Sequence, residues 1–89
     1  MKNKQVNIRI YTTKNCPFSR QLKSFLYEHE APFVEVDISN DKDKIDECFN
    51  ISGSLSTPVI VVNNSEERAI ILNGWNEENK SLIINLLNT

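Results

Sequence analysis

Val6, Ile8 and Ile10 alternate with polar residues, the period of a strand with one buried face. The period then changes. Phe18, Leu22, Phe25 and Leu26 recur at helical spacing and predict an amphipathic helix. Pro17 suits its first turn, where the missing N–H would have had no partner. Glu28-His29-Glu30-Ala31-Pro32 ends that helix, because a proline cannot continue it. Residues 33–38 alternate again as a second strand. Ser39, Asn40 and Asp41 offer N-cap chemistry for a short helix on which Ile45, Cys48 and Phe49 share a face, and Gly53 is its stop signal. Val59-Ile60-Val61-Val62 is apolar throughout, which predicts a central strand buried on both faces. A polar turn over 63–67 and a further strand over 69–72 predict a hairpin. Asn73-Gly74-Trp75-Asn76 then leads into a last helix carrying Leu82, Ile83, Leu86 and Leu87.

The predicted order is strand, helix, strand, helix, strand, strand, helix. One crossover followed by one hairpin gives an α/β fold: a four-stranded mixed sheet with three helices distributed over both faces. No repeat, linker or low-complexity tract divides the chain, so a single domain over residues 1–89 is expected.

Composition narrows the function. A net charge of −2 gives no electrostatic ground for nucleic-acid binding. No apolar run reaches the length of a membrane span, and residues 1–5 lack a signal-peptide pattern, so a cytoplasmic location is expected. Two cysteines cannot build a secreted disulfide framework, which turns attention to thiol reactivity. The acidic residues Asp41, Asp43, Asp46 and Glu47 are interleaved with Lys42 and Lys44 and lack metal-loop spacing; no metal site is expected.

Cys16 is the chemical focus. It stands where the first strand gives way to the first helix, at or beside the N-cap. Free backbone N–H groups and the positive end of the helix dipole there favour thiolate, the reactive form. Cys48 shares a stripe with Ile45 and Phe49 and reads as a small buried hydrophobe. Tyr11 either lines the site or packs in the core. His29 is read as a partner of the helix C-terminus, and Arg20 as an exposed helix arginine.

Strand, Cys16-Pro17-Phe18-Ser19, then helix resembles the active-site loop of the glutaredoxins, in the thioredoxin-fold superfamily. Two further places extend the resemblance. Ser56-Thr57-Pro58 opens the buried strand where that superfamily carries a cis-proline, and Thr57 would lend its backbone to a substrate chain. Gly74-Trp75-Asn76 resembles the glycine-containing turn that closes the glutaredoxin substrate groove. The resemblance implies a thiol–disulfide oxidoreductase with Cys16 as nucleophile, Ser19 beside it, and Lys14, Phe18, Thr57, Pro58, Gly74, Trp75 and Asn76 as substrate-binding residues. Lys14 is one position away from the basic residue that meets glutathione in many glutaredoxins.

Ser19 stands where the usual dithiol motif has its second cysteine, either natively or as an engineered replacement. It cannot resolve a mixed disulfide, but it can donate a hydrogen bond to the Cys16 thiolate. Monothiol exchange is what remains: protein mixed disulfides as substrates, no tightly bound cofactor, and glutathione or another low-molecular-weight thiol as reductant. The turn around Gly74 lacks the glycine pair and aspartate of many glutathione-binding members. It is similar to the turn of small redoxins that donate hydrogen to ribonucleotide reductase and draw electrons from a thioredoxin reductase. A 2Fe–2S carrier or a redox-inactive module is the alternative of another class. The expected state is a monomer.

Overall fold

The computed structural model describes residues 6–54, 56–63 and 69–88. Its elements follow the predicted order: β1 (Asn7–Thr12), α1 (Pro17–Glu28), β2 (Phe33–Asp37), α2 (Lys42–Ser52), β3 (Val59–Asn63), β4 (Ala69–Asn73) and α3 (Glu77–Leu87). The sheet runs β2-β1-β3-β4. β1 pairs parallel with β2 and antiparallel with β3, and β3 and β4 form the antiparallel pair expected of a hairpin. Most of the polar turn predicted between them, over 64–67, lies outside the described residues. This is the thioredoxin-like fold that the element order predicts.

Alternation along the strands sorts the core into two layers. Ile8, Ile10, Ile60, Val62 and Leu72 face Leu22, Phe25 and Leu26 of α1 and Ile83 of α3. Tyr11, Val59 and Val61 face the opposite way, against Cys48 and the half-buried Ile45 and Ile51 of α2. Two helices therefore cover one face and one covers the other.

Several positions depart from the sequence expectation, each for a geometric reason. β1 is not one-sided: it lies between β2 and β3 with α2 over its second face, so Tyr11 is buried as fully as Ile10 on the first. The Tyr11 hydroxyl is satisfied there by donating to Glu47 Oε2 at 2.6 Å. Phe49 and Leu82 are exposed, while their neighbours Cys48 and Ile83 are buried. Adjacent helical positions are about 100° apart, so at the edge of a buried stripe one member of such a pair faces the core and the other faces out. Phe18 also leaves the predicted apolar stripe of α1 and is 52% exposed at its first turn.

The helix ends behave as their residues dictate. Asp41 caps α2, its Oδ1 accepting from the N–H groups of Asp43 and Lys44. Gly53 closes it in the left-handed region at φ 72°, donating its N–H to Phe49 O. His29 is the C-cap of α1, its ring tilted against Phe25 at 4.3 Å.

Candidate active site

Cys16 is the N-cap of α1, with Pro17 as the first helical residue. At this position a serine or aspartate would normally accept from the N–H groups two and three residues on. Cys16 makes no side-chain cap in the thiol form, so those N–H groups, of Phe18 and Ser19, remain directed at the sulfur. Burial is the largest single influence on the Cys16 pKa and pushes it up. Four hydrogen-bonding groups outweigh it: the side chains of Ser19 and Thr57 and the backbone groups of Ser19 and Phe18. The net result is a thiol held below the ordinary cysteine value.

Ser19 lies on the first turn and is 1% exposed. Its Oγ forms no hydrogen bond of ordinary geometry, although it leads the groups that lower Cys16. The two observations describe two protonation states. As a thiol, Cys16 donates to the carbonyl of Thr57, with Sγ and O 3.5 Å apart. As a thiolate it has only acceptor capacity, and the idle Ser19 hydroxyl is then a donor available to it beside the N–H groups of Phe18 and Ser19.

The three segments singled out in the sequence converge. The Thr57–Pro58 peptide bond is cis, and Pro58 is fully buried at the mouth of β3. Thr57 Oγ1 lies 3.3 Å from Thr13 Oγ1, tying this loop to the approach to Cys16. Gly74 donates its N–H to the carbonyl of Pro58 at 2.8 Å, which joins the third segment to the second. Gly74 has φ +89°, a conformation that a side chain would strain; an added Cβ would meet nothing closer than Asn76 Nδ2 at 4.0 Å. Backbone conformation, not crowding, calls for glycine.

Other predicted residues take more particular places. Asn76 caps α3, its Oδ1 accepting from Asn79 N–H at 2.8 Å. Trp75 is half-buried and tilted against Phe25 at 5.0 Å, closing the end of the core while lining a groove beside Pro17. Lys14 is exposed, and its backbone N–H donates to Ser39 Oγ at 2.9 Å. The Lys14 charge helps to lower Asp37, after the larger pull of Ser39, and is not among the influences on Cys16. Tyr11 is core. Cys48 lies on the opposite face of the sheet from α1, where burial pushes its thiol up.

Two supporting residues carried no signal in the sequence. Asn79, nine-tenths buried, donates through Nδ2 to the carbonyls of Asn73 (3.1 Å) and Gly74 (2.9 Å) and so holds the turn. A buried polar residue three positions after an N-cap is the only trace it leaves. Glu35 accepts from Thr12 Oγ1 at 2.6 Å and pairs with Lys23 at 3.0 Å, fastening α1 to the sheet. Thr12 foremost, and then Lys23, hold its carboxyl below the usual value against burial. Among the described residues no group of three or more His, Cys, Asp or Glu side chains could hold a metal ion, and no helix is long and apolar enough to cross a membrane.

Comparison with known proteins places this geometry. The family model described as Glutaredoxin matches residues 8–66, which include the Cys16 loop and Pro58 and stop short of Gly74. A glutaredoxin-like 8.6 kDa protein from the rubredoxin operon of Clostridium pasteurianum is 29% identical over 58 residues, covering 65% of this chain and 77% of that protein. The crystal structure of the glutaredoxin grx-1 from Archaeoglobus fulgidus superposes with a TM-score of 0.69 at 27% identity, over 86% of this chain and 84% of the other. Glutaredoxin 1 from Francisella tularensis, solved with cacodylate, shares the fold at TM-score 0.64 and 21% identity, over 96% of this chain and 100% of the other.

Proposed function

The chain belongs to the glutaredoxin family, and from that premise we propose that it performs monothiol exchange through Cys16. Family and fold support a thiol–disulfide redox role in general. The observation that carries the finer reading is the set of donors gathered on one sulfur with no second thiol beside it. Ser19 and the N–H groups of Phe18 and Ser19 favour a thiolate, while Cys48 is sealed on the other side of the sheet.

The steps balance without a cofactor. The Cys16 thiolate attacks the small-thiol sulfur of a protein mixed disulfide. The S–S bond breaks, and the protein sulfur leaves with the electron pair and takes a proton from water. Cys16 now carries the small thiol. A second small thiol, as thiolate, attacks that disulfide, releases the oxidised small-thiol dimer and returns Cys16 as thiolate. Glutathione is the proposed small thiol, and other low-molecular-weight thiols serve the same chemistry.

Deprotonation also changes the substrate site. The thiol's hydrogen bond to Thr57 O disappears with the proton, which frees that carbonyl to accept a backbone N–H from an extended substrate. Gly74 is fastened to Pro58, and Trp75 beside it walls the groove.

The test is turnover of a glutathionylated reporter peptide with excess glutathione, beside a Cys16→Ser control. Activity confined to proteins that keep Cys16 supports the reading, and full activity in the control removes it. A second reading is favoured by the Gly74-Trp75-Asn76 turn, which lacks the glycine pair and aspartate associated with glutathione binding. There the reductant is a thioredoxin reductase, in the manner of redoxins that serve ribonucleotide reductase. Reporter turnover that requires the reductase and Ser19→Cys, and ignores glutathione, would select it.

A further inference from the structure

A groove lies between α1 and the start of α3, beginning beside Pro17 and floored by the Phe25–Trp75 ring pair. Two cations border it. Arg20 stands one turn beyond Cys16, and Lys80 of α3 holds Nζ 5.8 Å from the centroid of the Phe25 ring. Among the described residues neither enters an ion pair, in a chain whose net charge is −2. Glu28 is the groove's single carboxylate and stands at the far end of α1, about 16 Å of helix from Pro17 at about 1.5 Å per residue. Arg20 is therefore the charge at the end near the sulfur, Lys80 over Phe25 lies farther along towards Glu28, and the lining carries two cations against one carboxylate. Exchange of a small disulfide uses none of these features.

We propose that this groove docks an acidic segment of the protein whose disulfide Cys16 attacks. Carboxylates seat at Arg20 and Lys80, and an apolar or aromatic side chain covers the Phe25–Trp75 pair. The proposal rests on Cys16 being the nucleophile, because Pro17 makes the groove continuous with that sulfur. A guanidinium fork matches a carboxylate, and the tilted ring pair offers an amphipathic surface. Arg20 lies about 6 Å of helix beyond Cys16, and Phe25 about 14 Å. An extended chain advances about 3.3 Å per residue, so the acidic positions fall about two and four residues from the substrate cysteine.

Trp75 is the only tryptophan, so its emission reports occupancy of the groove without any catalysis. The probes are two cysteine-free peptides with blocked ends, one with Asp or Glu at those positions and one with Asn or Gln. The acidic peptide should shift Trp75 emission and bind about fivefold more tightly at about 0.01 M salt, the scale of two exposed charge pairs. That preference should vanish at about 1 M salt and in an Arg20→Gln, Lys80→Gln protein. Equal affinity for both peptides, or an emission change with glutathione and with neither peptide, overturns the docking proposal. The same peptides, remade with a glutathionylated cysteine, separate it from the catalytic reading. An emission preference without Cys16 exchange removes the catalysis and leaves the docking site. Exchange at equal rates on both peptides removes the docking site and leaves the catalysis.

Discussion

The buried Ser19 hydroxyl has no hydrogen-bond partner while Cys16 is a thiol, and it heads the groups that favour the Cys16 thiolate. An orphaned buried hydroxyl destabilises the fold by about 1–3 kcal/mol. That cost is recovered only when the sulfur loses its proton. Ser19→Ala should therefore move stability and activity in opposite directions. At a pH low enough to keep Cys16 a thiol, unfolding should show a gain of up to about 1 kcal/mol, while the exchange rate at neutral pH falls about threefold as the thiolate becomes scarcer. Denaturant melts and reporter turnover on the same preparation check both signs.

The pH profile follows from the two cysteines shifting in opposite directions. Cys16 is lowered and Cys48 raised, the latter mainly by burial. Alkylation of Cys16 should rise with pH and level off below the range of an ordinary thiol, while Cys48 stays unmodified in the folded protein. For stability, a depressed thiol pKa contributes in full above its unfolded value and loses that contribution as pH falls through the folded one. Cys48 acts oppositely: its thiol ionises more readily in the unfolded chain and so favours unfolding at alkaline pH. Cys16→Ser should remove the first effect and leave the second, giving a steeper alkaline loss of stability than the parent shows. A parallel loss in both proteins would contradict the Cys16 shift.

Asn79 should matter to a site it does not touch. Replacing it with Ala removes two hydrogen bonds to the carbonyls of Asn73 and Gly74 and loosens the turn that Gly74 fastens to Pro58. The expected loss is about 1–3 kcal/mol of stability. KM for a peptide mixed disulfide should rise more than kcat falls, since the sulfur and its donors remain. An unchanged KM would separate the turn from substrate binding.

Gly74→Ala tests the same turn through the backbone. At φ +89° an alanine is strained whatever space surrounds it, at a cost of about 1–2 kcal/mol. Gly53→Ala, at φ +72° at the end of α2, should cost a similar amount of stability. Only the Gly74 change should also raise KM, because only that turn adjoins the site.

The element order, the central β3 and the Cys16 N-cap were legible in the sequence because each follows from short-range pattern: a period, a proline, a β-branched run. Which of two adjacent apolar residues faces the core was not legible, as Phe49 and Leu82 show, because a stripe two residues wide has no intrinsic edge. The second buried face of β1 was also hidden, since it depends on α2 arriving from thirty residues downstream. At the site, Cys16, Thr57, Pro58 and Gly74 were each visible locally, and the structure joins them through Thr57 O and Pro58 O. Asn79 and Glu35 escaped notice because their value lies in partners that only the folded chain brings near. Lys14 is exposed, and its charge is not among the influences on Cys16 despite its nearness in sequence.

The most direct test of the central claim is turnover of a glutathionylated peptide by a Cys48→Ala protein, whose only thiol is Cys16. Monothiol exchange predicts a kcat within about twofold of the parent when glutathione is in excess, since nothing in the cycle needs a second protein thiol. Loss of turnover in that protein, with its fold intact by circular dichroism and Cys16 held as a stable mixed disulfide, would contradict it and make Cys48 the resolving thiol.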